Sequence, residues 1–186
     1  MTTTPVAAAG PTTERLRTLV AGIRETVDRG LPPEPTARLV AERLAPHLGA
    51  SDLLTPAQCE PDPAHYRQHV LHAEPDGGFS VVALVWLPGQ GTPIHDHVAW
   101  CATGVHRGEE HERRYQLVPD GASARLLATE DVVNGPGAVA AFAPPGDIHA
   151  VRNGGDRTAL SLHVYGADIT RLGTSVRRVY RLPADR

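Results

Sequence analysis

The sequence contains no lysine, since all 18 of its basic residues are arginine. This absence excludes Schiff-base chemistry and the P-loop type of phosphate binding, both of which use a lysine side chain. The chain has only two cysteines, Cys59 and Cys101, which is too few for a disulfide framework. Its longest uninterrupted apolar run, Val81–Leu87, is far shorter than the roughly 20 residues that span a bilayer. We therefore expect neither a disulfide-rich protein nor a membrane partner.

The chain is also poor in net charge, with a formal value of -3 over 186 residues and its arginines scattered. Nucleic-acid-binding proteins usually cluster their basic residues, so we expect no nucleic-acid partner. The first eleven residues lack the basic start and the apolar stretch of a secretory signal, which predicts a cytoplasmic location. Residues 1–12 are rich in threonine and alanine and are predicted to be disordered. The remaining length, residues 13–186, suits a single domain.

The character of the sequence changes near residue 64. Before this point, apolar residues at three- and four-residue spacing predict two helices, Thr13–Arg29 and Glu34–Leu48. Beyond it, turn signals separate eight short segments rich in β-forming residues. These predicted strands are Tyr66–His72, Phe79–Leu87, Trp100–His106, Glu112–Val118, Ala124–Ala128, Gly137–Phe142, Ile148–Arg152 and Thr158–Tyr165. Short strands at regular spacing predict an antiparallel sandwich or barrel, such as a jelly roll, over residues 64–186.

Three histidines form a candidate metal site. His95 and His97 are two residues apart, so in an extended segment both rings point to the same side, whereas Asp96 between them points away. His149 follows a Pro-x-Gly turn and supplies a third imidazole from a distant strand. A His-x-His pair alone is more often a pair of surface or core histidines. The third histidine behind a turn makes a metal site the favoured interpretation.

These segments resemble the two motifs of the cupin superfamily, a family of small β-barrels. The first motif extends from Gly89 to Gly108 and the second from Pro144 to Asn153. Cys101 stands where cupins usually carry a glutamate ligand. A three-histidine site without this glutamate, followed by Ser161, His163 and Tyr165, is similar to the cysteine dioxygenase family of thiol dioxygenases.

The resemblance implies a mainly β fold, namely a cupin jelly-roll β-barrel with two N-terminal α-helices. It further implies one Fe(II) per chain, held by His95, His97 and His149. We expect the protein to be a monomer or a homodimer. The partners would be a small-molecule thiol and O2, and both oxygen atoms would add to sulfur to give a sulfinic acid. Neutral imidazole ligands leave the full 2+ charge on the metal, which favours a bound thiolate.

Ser161, His163 and Tyr165 alternate along one predicted strand and should therefore share one face. The resemblance implies that Ser161 orients His163, and that His163 orients the Tyr165 phenol beside the metal to assist acid–base steps. The alternative is a polar strand face turned towards solvent.

Cys101 has three interpretations. The first is an inert buried thiol, which is the usual state of a lone cysteine. The second is a thioether cross-link to Tyr165, since some cysteine dioxygenases carry one; their cysteine aligns with Ala102, one residue later. The third, a metal ligand, ranks last because it would block a position that the substrate needs.

The resemblance also bears on the substrate. Gln68 is similar to the glutamine of the bacterial branch that acts on 3-mercaptopropionate, in which an arginine nearer the C-terminus binds the carboxylate. Arg177 and Arg178 are nearest to that position, and Arg171 is a further candidate. A planar guanidinium suits a carboxylate because it can bind both oxygens at once. His69 aligns with the arginine of the mammalian-type enzymes and offers an alternative cation.

The expected substrate is thus 3-mercaptopropionate or cysteine. Two other functions stay open at this point. One is a metal-binding cupin with a different reaction, such as an isomerisation. The other is a ligand-binding cupin without catalysis, which would consume no oxygen.

Overall fold

The structure is a computed structural model that describes residues 12–121 and 123–181. The segment predicted to be disordered therefore lies outside the described residues, except for its last residue. Two helices open the described chain, α1 over Glu14–Val27 and α2 over Pro33–Leu44. A short α3 over Ile169–Leu172 comes near the end.

The helix ends follow from local chemistry. The Thr13 side chain accepts a hydrogen bond from the backbone N–H of Leu16 and so caps the start of α1. The second helix ends four residues before the predicted Leu48. Pro46 lacks the N–H that would continue the helical ladder, and the chain passes into a 3-10 turn over Ala45–His47.

In residues 12–121 and 123–181, ten strands form two antiparallel five-stranded sheets. We name them the helix-side sheet, with the order β1-β2-β9-β4-β7, and the ligand sheet, with the order β10-β3-β8-β5-β6. The strands are β1 Arg67–Ala73, β2 Ser80–Trp86, β3 His95–His97, β4 Cys101–Arg107, β5 Glu110–Asp120, β6 Ser123–Asn134, β7 Val139–Phe142, β8 Ile148–Arg152, β9 Ala159–Tyr165 and β10 Val176–Val179.

The eight predicted strands are all present, seven with shifted ends and Ile148–Arg152 with the predicted ends, and β3 and β10 are additional. The largest shift is in β6, which continues six residues beyond the predicted end at Ala128. Its polar continuation is stabilised by cross-strand ion pairs, because Glu130 and Asp131 lie opposite Arg114 and Arg113 of β5. The pattern of apolar residues in the sequence could not predict this part of β6, because its residues are mostly polar.

The helix-side sheet has two different faces. Alternate residues of its central strands, such as Leu162 and Val164, pack with α1 and α2 in one hydrophobic cluster. The residues between them point into the space between the two sheets, where Val82 and Leu84 of β2 form part of a second cluster. Strand alternation thus divides the molecule into a helix-side core and a sandwich interior.

The predicted fold is confirmed as mainly β, a cupin-like β-sandwich preceded by helices. Gly108, which ends the first motif, turns the chain from β4 into β5 with a positive φ of 72°. A Cβ atom there would lie 2.6 Å from the Cα of Ala159, so only glycine fits the turn. Within the described ranges, no helix has both the length and the apolar character needed to cross a membrane.

Candidate metal centre and its surroundings

The three predicted ligands meet inside the sandwich. His95 and His97 lie on β3, and His149 on β8 is the direct register partner of His95. One ring nitrogen from each histidine lies within 4.8 Å of the other two, and all three side chains are buried. Sheet pairing thus brings together three imidazoles that are far apart in sequence.

Each of the three rings is held through its Nδ1 atom. The Nδ1–H of His95 donates to the carbonyl oxygen of Pro93 over 3.0 Å. That of His97 donates to Asp147 Oδ2 over 2.9 Å, and that of His149 donates to Glu112 Oε1 over 2.7 Å. A carbonyl or an ionised carboxylate can only accept, so these partners fix the hydrogen on Nδ1. The Nε2 lone pairs are then available to one metal ion, the arrangement that ligating histidines usually show.

The surroundings of the rings fit a metal ion. The Nε2 atom of His149 is buried and has no hydrogen-bond partner in the described part of the chain. Such an atom is costly to bury unless another group binds it. Burial and the neighbouring histidines lower the pKa of His95 to about 3, and burial also lowers the pKa of His149. The rings of His95 and His149 are therefore neutral, which is the ligating form, and three imidazoles suit zinc, copper, iron or nickel.

Two buried carboxylates support the rings. Burial opposes the ionisation of Glu112, but hydrogen bonds from His149 and Arg114 outweigh it and lower the pKa to about 2. Burial likewise opposes ionisation of Asp147, and the hydrogen bonds from His97 again lower its pKa. Neither residue was identified from the sequence. The sequence gives one weak signal for each residue, namely an acidic side chain at a position that faces the interior. Asp147 lies two residues before His149, and Glu112 is the first residue of the predicted strand Glu112–Val118.

We expect the substitution Glu112→Gln to weaken metal binding by about 10- to 100-fold, the usual effect of losing a carboxylate behind a ligating histidine. The amide keeps the shape but loses the charge that holds the His149 ring. Competition with a chelator measures the affinity. Glu130→Gln is the matched control because Glu130 binds the same Arg114 from an exposed position. Equal affinities of both variants and the wild type would contradict the role of Glu112.

The second predicted constellation faces the same space. Ser161 Oγ lies 3.0 Å from His163 Nε2, and the Tyr165 hydroxyl lies 3.3 Å from His163 Nδ1. All three side chains are buried, so the alternative of a solvent-facing strand is wrong. The ring centroid of Tyr165 is 6.1 Å from that of His97, which brings the chain of hydrogen bonds next to the histidine cluster.

The titration behaviour of these groups follows from their burial. Burial, with a contribution from the three ligand histidines, lowers the pKa of His163 to about 3. Burial also raises the pKa of Tyr165 well above its ordinary value. Both groups are thus neutral near neutral pH, and His163 carries a single ring hydrogen.

Cys101 is fully buried on β4 and lies directly opposite Tyr165 in the register of β4 with β9. Burial raises the pKa of its thiol well above the ordinary value, which keeps it protonated. Among the described residues, the group whose ligand atoms could hold one metal ion consists of the three histidines without Cys101, so the ligand interpretation is not supported. An inert thiol and a thioether to Tyr165 both fit the position, and the cross-link stays a prediction.

The two candidates on β1 point to opposite faces. Gln68 lies opposite Leu84 of β2, and Leu84 lies opposite Ser161, so Gln68 belongs to the interior face. His69 belongs to the other face, and its Nε2 lies 3.0 Å from the carbonyl oxygen of Glu60. The alternative in which His69 binds the substrate as a cation is therefore not supported by its position.

The three candidate arginines have protein partners. Arg177 donates from Nε and Nη2 to Asp96 Oδ2, and the Nε of Arg178 lies 3.9 Å from the same oxygen. Asp96 is buried and points away from its neighbouring histidines, as predicted, so this contact joins β10 to β3. Arg171 pairs with Asp168 and donates to the carbonyl oxygen of Pro75. A role of Arg177 or Arg178 in substrate binding stays a prediction.

Comparison with known proteins identifies one family. A family model described as cysteine dioxygenase type I matches residues 58–173. This span is more than half of the chain, and it contains the three histidines of the cluster together with Ser161, His163 and Tyr165.

Several solved structures are similar at low sequence identity. One is an uncharacterised conserved protein with a double-stranded β-helix domain from Klebsiella pneumoniae, at 20% identity, a TM-score of 0.46, and coverage of 64% of this chain and 92% of that chain. Another is a cupin superfamily protein from Desulfitobacterium hafniense, at 14% identity, a TM-score of 0.45, and coverage of 65% and 95%. A third is a Cupin 2 conserved barrel domain protein from Salinispora arenicola, at 24% identity, a TM-score of 0.41, and coverage of 60% and 83%.

Proposed function

The chain belongs to the cysteine dioxygenase type I family, and on this basis we propose that it is an Fe(II)-dependent thiol dioxygenase with one iron per chain. Family membership indicates an oxidoreductase of the cysteine dioxygenase type. The proposed reaction adds both atoms of O2 to the sulfur of a small thiol carboxylate and gives a sulfinic acid. We further propose that the enzyme acts in the cytoplasm as a monomer or a homodimer.

One observation carries this proposal. Three histidine Nε2 atoms converge without a carboxylate among them, and a buried Ser161–His163–Tyr165 chain lies beside them. Hydrolytic zinc sites usually pair their metal with a general base. Here His163 is neutral and bound at both nitrogens, so it is poorly placed to activate water. A hydroxyl that can donate a hydrogen bond beside a metal suits oxygen chemistry better.

The residues would have distinct tasks. His95, His97 and His149 would hold the iron, which supplies the binding of thiolate and the redox chemistry with O2. The side chains of Asp147 and Glu112 orient two of the ligand rings. The Tyr165 hydroxyl is held by His163 at the edge of the cluster, where it can donate a hydrogen bond to a bound substrate. The apolar side chains of the interior, such as Val82, keep water out.

We propose 3-mercaptopropionate or cysteine as the substrate class, with Gln68 contacting the carboxylate from the interior face of β1. Arg177 or Arg178 would supply the positive charge from β10. In the free protein, the Arg177 guanidinium already donates hydrogen bonds to Asp96. A substrate carboxylate would therefore have to bind the same guanidinium together with Asp96. Arg178 is the less engaged of the two, because its Nε is 3.9 Å from Asp96.

Oxygen uptake tests the proposed reaction. The protein is reconstituted anaerobically with Fe(II), mixed with cysteine, 3-mercaptopropionate or cysteamine, and exposed to oxygen. We expect one O2 consumed for each sulfinic acid formed, as measured with an oxygen electrode and mass spectrometry. Absence of oxygen uptake with every thiol would favour a ligand-binding protein, and turnover of another compound without oxygen uptake would favour a different cupin reaction.

Substrate selectivity tests the proposed carboxylate contacts. We expect 3-mercaptopropionate to be used at least as well as cysteine. Alanine at the responsible arginine, Arg177 or Arg178, should weaken both carboxylate thiols by about 10- to 150-fold, the cost of one charged hydrogen bond. Cysteamine has no carboxylate and should be nearly unaffected. An equal loss with cysteamine would instead assign Arg177 to the anchoring of β10 through Asp96.

A further inference from the structure

Arg114 on β5 brings a positive charge to the side of the metal centre. It is the direct register partner of His149 on β8, so the two side chains are neighbours on the face of the ligand sheet that points into the sandwich. The Arg114 side chain is 35% exposed, whereas that of Glu112, which supports His149, is 3% exposed. Arg114 therefore lies between the buried residues of the centre and the protein surface.

The carboxylate of Glu112 is held at both of its oxygens. Its Oε1 accepts the hydrogen bond from His149 Nδ1 over 2.7 Å. Its Oε2 accepts from Arg114 Nη2 over 3.2 Å and from Asn134 Nδ2 over 3.5 Å. Because a carboxylate is planar, a donor that fixes Oε2 also fixes the direction from which Oε1 meets the imidazole. Arg114 thus acts on the His149 ring through Glu112.

The guanidinium of Arg114 is itself held on two further sides. Its Nη1 donates to Glu130 Oε2 of β6 over 2.8 Å. Its central carbon lies 5.2 Å from the ring centroid of Phe142, a distance at which a cation is attracted to an aromatic face. Phe142 belongs to β7 of the helix-side sheet, and its ring centroid is 5.1 Å from that of His149. The guanidinium is therefore fixed in place before it meets Glu112.

We propose that Arg114 is a positioning residue of the metal centre, which fixes the orientation of the His149 imidazole through Glu112. The fixed ring directs its Nε2 towards the other two ligand histidines. This inference rests on the three-histidine site and does not depend on the proposed reaction with oxygen.

The geometry of these contacts requires an arginine at this position. A guanidinium is a rigid planar fork, so its two Nη atoms bind Glu112 and Glu130 while its face lies against Phe142. A lysine ammonium is a compact, strongly hydrated charge on a flexible stem. It could neutralise Glu112 but could not make all three contacts in one fixed arrangement. Positioning and charge can therefore be separated by experiment.

Binding of Co²⁺ to the metal-free protein tests the proposal. Competition with a chelator gives the affinity, and visible absorption of the bound Co²⁺ reports the arrangement of its ligands. We expect Arg114→Gln to weaken binding by about tenfold, the lower end of the range for residues behind a ligand, because Asn134 still donates to Glu112. The absorption should also change, since the His149 ring is less well fixed. Wild-type affinity and absorption in Arg114→Gln would overturn the proposal.

Two further variants separate positioning from charge and from general damage. Arg114→Lys keeps the charge, and we expect it to bind Co²⁺ more weakly than the wild type. Full recovery of affinity and absorption in that variant would show that charge alone suffices and would overturn the positioning role. Arg113→Gln is the matched control, because Arg113 is a neighbouring arginine of similar exposure that pairs with the exposed Asp131. We expect this control to match the wild type.

A double variant tests whether Arg114 acts through Glu112. We expect Arg114→Gln, added to Glu112→Gln, to change the Co²⁺ affinity by less than about twofold, because the group that transmits its effect has gone. A further loss of about tenfold would overturn the proposal. The comparison holds even if Arg114→Gln alone fails to fold, since the double variant leaves no unpaired carboxylate at Glu112.

The Co²⁺ measurements are independent of the proposed reaction, because they need neither thiol nor oxygen. An Fe(II)-loaded enzyme without oxygen uptake would contradict the proposed function and leave the role of Arg114 intact. Conversely, normal Co²⁺ binding in all the Arg114 variants would contradict this inference and leave the proposed reaction untouched.

Discussion

Replacing His149 by alanine is expected to remove most of the bound metal and nearly all thiol-dependent oxygen uptake, while the protein stays folded. Loss of one imidazole leaves two ligands on β3, and a two-ligand site holds a divalent ion far more weakly than three converging nitrogens. The substitution also leaves the Glu112 carboxylate without its 2.7 Å hydrogen bond, but Arg114 still neutralises it. Metal content by mass spectrometry and secondary structure by circular dichroism measure the two effects separately.

His69→Ala is the matched control for this experiment. His69 is also a buried histidine, but it lies on the opposite face of β1 and binds a backbone carbonyl. We expect that variant to keep its full metal content even if its thermal stability falls. Stoichiometric iron together with full turnover in His149→Ala would show that the three-histidine assignment is wrong. A similar loss of metal in both variants would indicate that the fold, not the ligand, had been damaged.

The metal centre could be predicted from the sequence because its signals are local. The spacing of His95 and His97 and the turn before His149 are readable in a few residues each. The alternation of Ser161, His163 and Tyr165 also specifies a shared face as soon as β9 is identified as a strand. The spacing in the sequence had already indicated that these side chains share a face. The structure adds the distances between them and shows that they are buried.

The residues behind the metal ligands could not be predicted, because each depends on which strands become neighbours. Glu112 supports His149 only because β5 pairs with β8, and Asp147 supports His97 only across a separation of 50 residues in sequence. The same limitation applies to β10. From the sequence, Arg177 and Arg178 were candidates to bind a substrate carboxylate. The pairing of β10 with β3 instead places both arginines beside Asp96.

We expect Tyr165→Phe and His163→Asn to keep the metal and to lower turnover by about 10²- to 10⁴-fold, the usual contribution of a group that assists proton transfer. Tyr165→Phe removes the hydroxyl that faces the cluster, and His163→Asn removes the ring that holds this hydroxyl in place. Because neither side chain is a metal ligand, iron content should stay stoichiometric and KM should change less than kcat. Oxygen uptake and sulfinic acid are measured together. If the Tyr165 hydroxyl is misplaced, we also expect some oxygen to be consumed without formation of the sulfinic acid.

The control for this last experiment is Tyr115→Phe, which removes a hydroxyl from another tyrosine that is mostly buried, outside the Ser161–His163–Tyr165 chain. We expect its turnover to match the wild type. The two active-site variants should also differ from each other. Tyr165→Phe abolishes the donor, whereas His163→Asn leaves the Tyr165 hydroxyl in place and should retain more turnover. Effects below about threefold in both variants would place the Ser161–His163–Tyr165 chain among the structural hydrogen bonds of the interior, because a proton-transfer group contributes far more.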